Sequence, residues 1–386
     1  MVRNMTEGDP LKLILPFMVP LLIGNVFQQL YNIADIIIVG RTIGVNALAA
    51  VGATAPLFMM LVVLTMGLSN GFTVVTGQRY GAGDLDGVRR SVAMSTMLSL
   101  FFVLIMMLIA TFALDPALAA MNVPEELFED AKSYVLIISH GIIAMMGYNL
   151  LAGILRSLGD SKTPLYFLII ATILNIFSGA AVYYSVRLGR AWFSSSVGYC
   201  AGLFRAAVYC LYCQKIPDPA SAKAGLALFD WNFAWEHLRM GLPMAVQFSV
   251  LGLGMIFIQA VCNKFGPTTI AAFTSAMRIE QLALQPMISF GLSMAVFSAQ
   301  NFGAHRFDRI REGVKKCSLL ALCFSLFAAV IMYFFGREMI SIFISEANEQ
   351  VFIAGAAVSA SQRAVLFFSS VRFLSIVMPY RVWVLR

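Results

Sequence analysis

The chain has 386 residues, of which 60% are hydrophobic and only 12% charged, and its mean hydropathy is +0.82. That excludes an ordinary soluble globular protein, where about a quarter of residues carry charge, and points to a lipid-embedded chain. The net charge of +7 comes from 27 Lys and Arg against 20 Asp and Glu; the basic residues lack interleaved aromatics, so it reads as a topology signal and no nucleic-acid partner is expected.

In chain order, Met1 to Pro10 is short and polar, and the apolar run after it is too long for a removable signal peptide, so the first helix is expected to be retained. Apolar stretches able to cross about 30 Å of hydrocarbon as helices lie near 11 to 39, 46 to 77, 91 to 114, 131 to 157, 163 to 186, 191 to 214, 235 to 262, 267 to 299, 317 to 345 and, less distinctly, 350 to 380. Membrane strands would need only about ten alternating residues each. The fold class expected is therefore an all-α polytopic membrane protein of about ten spans.

The first span carries the strongest site signal. Asn25, Gln28, Asn32 and Asp35 step by three, four and three, placing all four on one face of a helix otherwise built from Leu, Ile, Val and Phe. A carboxylate at mid-membrane costs roughly 2.5–3.5 kcal/mol on insertion scales, so it normally faces a bundle interior or a wet cavity. Asp35 is the candidate ion-coupling residue, exchanging a proton or binding sodium with nearby carbonyls; the alternative is a helix-end carboxylate that reaches water or pairs with Arg41. Further intramembrane polar groups are Tyr148 and Asn149 in span four, Gln247 in span seven, and Arg278, Glu280, Gln281 and Gln285 in span eight. Arg278 and Glu280 are two apart and point to different faces. The 22 methionines suit either a promiscuous pocket or plain filling of an apolar core.

Basic residues follow alternate spans: Arg79, Arg89 and Arg90, then Arg156 and Lys162, then Arg306, Arg309, Arg311, Lys315 and Lys316. The loop after span three instead holds Asp115, Glu125, Glu126, Glu129 and Asp130. The positive-inside rule thus puts the N-terminus and the basic loops in the cytoplasm of a multi-pass inner or plasma-membrane protein. Pro16, Pro20, Pro56, Pro243 and Pro286 fall inside apolar spans, where they free carbonyls and permit bending.

The chain also repeats itself. The segment from Gly77 to Val92 aligns without gaps on Ala299 to Val314, an offset of 222, matching Gln78 with Gln300, Gly81 with Gly303, Asp86 with Asp308 and Arg89 with Arg311. Gly44 falls on Gly266 at the same offset. Six spans precede a polar linker, so the second copy enters with the same orientation, making a parallel repeat. The expected organisation is an N-terminal lobe, 1–214, with helices 1–6; a cytoplasmic linker, 215–234; and a C-terminal lobe, 235–386, with helices 7–10 and incomplete as a repeat.

Enzyme chemistry finds no footing. Cys200, Cys210, Cys213, Cys262, Cys317 and Cys323 lie in or beside apolar segments, and Cys210 with Cys213 has metal-site spacing but no second pair. His140, His237 and His305 are scattered, and no nucleophile elbow or phosphate loop is present. No cofactor or resident metal is expected, only H+ or Na+ as coupling ion.

Several segments resemble the multidrug and toxic compound extrusion (MATE) transporters: Tyr31-Asn-Ile-Ala-Asp35 through Gly40-Arg41, the Gln78 and Gln300 repeats, Leu155-Arg156-Ser-Leu-Gly159-Asp160-Ser-Lys-Thr-Pro164, and Gly241-Leu-Pro243. The resemblance implies two six-helix lobes around a central cavity and export of organic cations and drugs against proton or sodium entry. It places Asp35 on the family's first-helix aspartate and, lacking an acid near Gln247, puts the chain closer to the DinF-like branch. Asp35, Asn32 and Asn175 then form the ion-coupling set, with Asn25, Gln28, Gln247, Arg278 and Gln281 lining the substrate cavity. Small amphipathic, cationic substrates and membrane lipids are the expected partners, and the chain is expected to act as a monomer. A lipid-linked precursor flippase and a non-transporting remnant are the alternative readings. Leu174-Asn175-Ile-Phe-Ser178-Gly179 lacks the family's second acid, and 179–199 and 351–386 read as unlike the family. The expectation there is a frame disruption or a truncation about two helices short of the full repeat.

Overall fold

The computed structural model describes residues 4–42, 45–120, 125–170, 172–173, 230–263 and 267–341, with side chains at 30–58 and at some other helical positions outside that description. Among the described residues regular structure is helical throughout: α1 (Pro10–Thr42), α2 (Val45–Gly81), α3 (Leu85–Phe112), α4 (Leu114–Ala120), α5 (Glu125–Ser157), a helical stretch at 162–170, α6 (Trp231–Asn263), α7 (Pro267–Gly303) and α8 (Phe307–Ser341). The protein is an all-α polytopic membrane protein. Pro10–Gln29, Met59–Gly81 and Leu85–Phe112 are long and apolar enough to cross a membrane, and Gly141–Ser157 is a shorter apolar stretch. The expected spans at 191 to 214 and 350 to 380, most of the one at 163 to 186, and the segments 179–199 and 351–386 lie outside the described residues.

On α3, Phe101, Leu104, Leu108 and Phe112 form an exposed stripe, whereas Met94, Leu98, Val103 and Met106 are buried. Apolar residues thus cover both faces, one packing on protein and the other suited to lipid. The short helix α4 was not anticipated from the sequence; Lys132 Nζ, on α5, donates to Asp115 at 2.8 Å and holds it.

The duplication reappears in the helix ends. α2 and α7 each have 37 residues and start 222 residues apart, while α1 and α6 each have 33 and start 221 apart. The turns that follow α2 and α7 close identically. Ala82 N donates to Gln78 O, Gly83 N to Tyr80 O and Asp84 N to Arg79 O; Ala304, His305 and Arg306 repeat the pattern on Gln300, Phe302 and Asn301. Such a stop needs one left-handed residue just past the helix. Gly83 supplies it at φ 73°, and in the second copy His305 is forced to the same region at φ 57°.

The described helices fall into two compact units. One holds α1 from Phe27, α2 to α5, and α6 as far as Leu253; the other holds the N-terminal segment and α1 as far as Val26, with α6 from Gly254, α7 and α8. In the first, Leu68, Phe72, Met94, Leu98, Ile142, Met146, Phe233 and Ala245 make the core. In the second, Met5, Ile14, Phe17, Leu21, Phe290, Met294, Phe297 and Cys317 do so.

Within the first unit α2 and α6 cross on small residues. A Cβ built on Gly67 would stand 2.5 Å from Ala245 Cα, one on Gly71 would collide with Gly241 Cα, and one on Gly241 would strike the Phe72 ring. Gly67 and Gly71 are four apart, as are Gly241 and Ala245, so each helix presents a small-xxx-small pair that lets backbones touch. This is the physical content of Gly241-Leu-Pro243: the glycine is a packing requirement, and Pro243 follows inside the helix.

Candidate functional site

The polar face of α1 is the starting point. The helix is continuous from Pro10 to Thr42, so Asn25, Gln28, Asn32 and Asp35 keep the register the sequence spacing requires. Asn25 and Gln28 are half-buried; the side chains of Asn32 and Asp35 lie outside the described residues. Asn25 Nδ2 donates to Ser289 Oγ on α7 at 3.0 Å. Ser289 Oγ in turn donates to Gln285 O at 2.8 Å, and Ser293 Oγ donates to Ser289 O at 2.7 Å. Gln285, Ser289 and Ser293 are all buried, at 7%, 0% and 0% exposure, so the α7 side of this polar seam with α1 is buried, with hydroxyls anchored on their own helix.

At the repeat offset of 222, Ser289 and Ser293 occupy the places of Gly67 and Gly71. The sequence reading missed these two serines. Their signal was the pairing of two serines in one copy with two glycines in the other, which keeps small volume but adds hydroxyls to one crossing.

Of the other expected residues, Gln247 is half-buried on α6, between the exposed Val246 and Val250, and belongs with Gln28 to the first unit. Gln281 is half-buried on α7 and belongs with Asn25 to the second. Arg278 lies on α7 with its side chain outside the described residues, as is that of Glu280, and Asn175 is wholly outside them. Among the described side chains of the predicted set, Asn25 has a hydrogen bond to another helix, to Ser289, whose hydroxyl in turn reaches the backbone carbonyl of Gln285, a residue the sequence reading also named.

A second polar system stands in the first unit. His237 is fully buried. Its Nδ1 lies 2.8 Å from Phe233 O, a pure acceptor, so the proton sits on Nδ1. Nε2 then accepts from Ser91 Oγ at 2.9 Å, and Ser91 accepts from Thr76 Oγ1 at 2.9 Å. The chain ties α6 to α3 and α2 with each group satisfied. Just above it Arg79 pairs with Glu236 at 2.6 Å, Arg90 with Asp230 at 3.6 Å, and both guanidiniums stand 5.3 Å from the centre of the Phe233 ring.

The family-like motifs in the turns are structural by their contacts. Gln300 Oε1 accepts from Met5 N at 2.9 Å, and Asn301 Nδ2 donates to Met5 O at 3.0 Å and Phe297 O at 2.8 Å. They hold the N-terminal segment against α7, assisted by Lys316 on Asp9 at 2.9 Å. Asp160 is buried and caps the stretch at 162–170, accepting from Lys162 N, Thr163 N and Thr163 Oγ1, while Gly159, at φ 85°, stops α5. The Gly159-Asp160-Ser-Lys-Thr run is thus one helix stop followed by one helix start. Among the described residues no group of His, Cys, Asp or Glu side chains is placed to hold a metal.

Residues 20–180 and 243–378 match the MatE family. The second block runs past Val351, so most of the tail that read as unlike the family lies inside the match, which corrects that expectation. Curated relatives include "Probable multidrug resistance protein YoeA" of Bacillus subtilis (strain 168), 27% identical over 94% of this chain and 79% of the relative. Another is "Probable multidrug resistance protein NorM" of Thermotoga maritima, 26% identical over 83% and 70%. Among solved structures, "Crystal structure of MATE in the straight conformation" aligns over 98% of this chain and 84% of that one, with a TM-score of 0.86 at 22% identity, a likeness of fold.

Proposed function

We propose that this chain, which belongs to the MatE family, is a secondary active antiporter that exports small amphipathic organic cations in exchange for H+ or Na+ by alternating access. Family membership makes it a multi-pass membrane transporter rather than an enzyme. The relatives named as multidrug resistance proteins support drugs as the substrate class. The repeat supports two lobes, 1–214 and 235–386, joined by the linker 215–234, with the N-terminus in the cytoplasm.

The observation that carries the mechanism is the unbroken α1, whose polar face runs from Asn25, already bonded to α7, through Gln28 and Asn32 to Asp35. In this reading Asp35 takes the coupling ion, with Asn32 and Asn175 beside it, and Gln28, Gln247, Arg278 and Gln281 line the substrate path. Coupling requires that the ion and the substrate each favour one access state, because a ligand shifts an equilibrium only by its differential affinity. A proton entering down about 150 mV releases about 3.5 kcal/mol, enough for a gradient of a few hundredfold in a neutral substrate when 1.4 kcal/mol is tenfold, and less for a cation that itself leaves against the potential.

The test is efflux of a fluorescent organic cation from cells expressing the chain or its Asp35→Asn variant, with proton and sodium gradients collapsed separately. Loss of efflux in the variant and on collapse of one gradient supports the reading and names the ion. Full-rate transport by Asp35→Asn removes the coupling role.

A further inference from the structure

We propose that the turn between α7 and α8 is a binding site for the phosphate headgroup of an anionic phospholipid. A cleft of ≈ 540 Å³ opens there, lined by His305, Arg306, Phe307, Asp308, Arg309 and Arg311. Arg306 and Arg311 are exposed, and among the described residues Arg306 has no ion-pair partner. Arg311 reaches Asp308 only at 3.8 Å. Arg309 is half-spent, its Nε donating to Asn301 Oδ1 at 3.0 Å and one terminal nitrogen to Met5 O at 3.4 Å. Guanidiniums with free N–H groups around a concave surface suit a phosphodiester, which accepts from them in pairs.

The comparison with the other copy makes this more than a topology signal. In the α2–α3 turn, every arginine meets a carboxylate: Arg79 with Glu236, Arg89 with Asp86 and Arg90 with Asp230. At the repeat offset, Asp84 becomes Arg306 and Gly87 becomes Arg309. Among the described residues the ion pairs made by Arg306, Arg309, Arg311, Lys315 and Lys316 reach Asp308, Glu312 and Asp9 alone, and Lys316 takes two of those three. A positive-inside bias needs only the count of cations; a cleft in which Arg306 has no ion-pair partner among the described residues, set against a turn in which every arginine has one, distinguishes a site from a bias. The half-buried Phe307, set edge-on against Phe302 at 5.7 Å, offers an apolar surface beside the cations.

The inference rests on the chain being a multi-pass protein whose basic turns face the anionic cytoplasmic leaflet, but its test is independent of transport. Purified full-length protein in neutral detergent is melted with short-chain phosphatidylglycerol, short-chain phosphatidylcholine or inorganic phosphate. Phosphatidylglycerol alone is expected to raise the melting temperature. The pair Arg306→Gln with Arg311→Gln is expected to weaken its apparent affinity about twenty-five-fold, at about fivefold per surface cation, and Arg311→Gln alone about fivefold. Arg89→Gln in the neutralised turn should change it less than twofold. Equal binding by the paired variant, an equal response to inorganic phosphate, or no response to phosphatidylglycerol overturns the proposal. Failed efflux with intact lipid binding would count against the transport reading alone.

Discussion

His305 and Gly83 do the same job at different cost. A non-glycine residue in the left-handed region costs on the order of 1–2 kcal/mol, offset in part because glycine also frees the unfolded chain. His305→Gly is therefore expected to stabilise the protein by up to about 1 kcal/mol, and Gly83→His to destabilise it by a similar amount, both read as shifts in thermal melting. Asp160 is a stronger anchor, since its buried carboxylate bonds two amides and a hydroxyl. Asp160→Ala should cost about 1–2 kcal/mol, seen as a lowered melting temperature, with Asp160→Asn recovering part of it. Asp9 shows the pH sense of an exposed pair: the hydrogen bond from Lys316 holds its carboxyl below the usual 3.8. A lowered acid pKa stabilises the folded state at pH above the ordinary value and loses that effect as pH falls through the lowered one. Proteolytic protection of the N-terminal segment should thus be flat from pH 5 to 7 and decline only in stronger acid, and Lys316→Met should raise the Asp9 pKa as read by NMR.

Helix crossings are decided by volume. Gly71 meets the α6 backbone so closely that any Cβ forces the helices apart, and Gly71→Val should reduce the yield of monodisperse protein in detergent. Gly254 is the control: among the described residues a Cβ there meets nothing within 4 Å, so Gly254→Ala should be neutral or stabilising by up to about 1 kcal/mol, the helix-propensity difference. Ser289→Ala nearly keeps the volume of its crossing and removes the partner of Asn25 together with the hydroxyl's bond to Gln285 O; for the interhelical bond about 0.5–1.5 kcal/mol is expected. Helix existence was legible because long apolar runs leave the backbone no alternative in lipid. α4 was not, because seven residues between two helices carry no period and form through packing: Leu114 and Leu118 are buried with Val135 of α5.

For the whole molecule, the proposed orientation rests on the distribution of charge. Single cysteines placed at Ala82 and Ala304 in a cysteine-free background should react with an impermeant maleimide only from the cytoplasm, and one at Glu129 only from outside. Labelling of Ala82 and Ala304 positions from opposite sides would remove the parallel repeat. The duplication and the membrane class were determined by the sequence alone, because they depend on apolar length and on identical residues at one offset. Which residues the repeat brings together was decided only in three dimensions. Gly241 is only part of a family-like motif until Phe72 lies against it, His237 a scattered histidine until Ser91 and Thr76 close around it, and Ser289 goes unremarked until Asn25 reaches it across helices. Each of these meanings belongs to a pair of residues far apart in the chain, and contact between such residues is set by how whole helices cross, which no local spacing encodes.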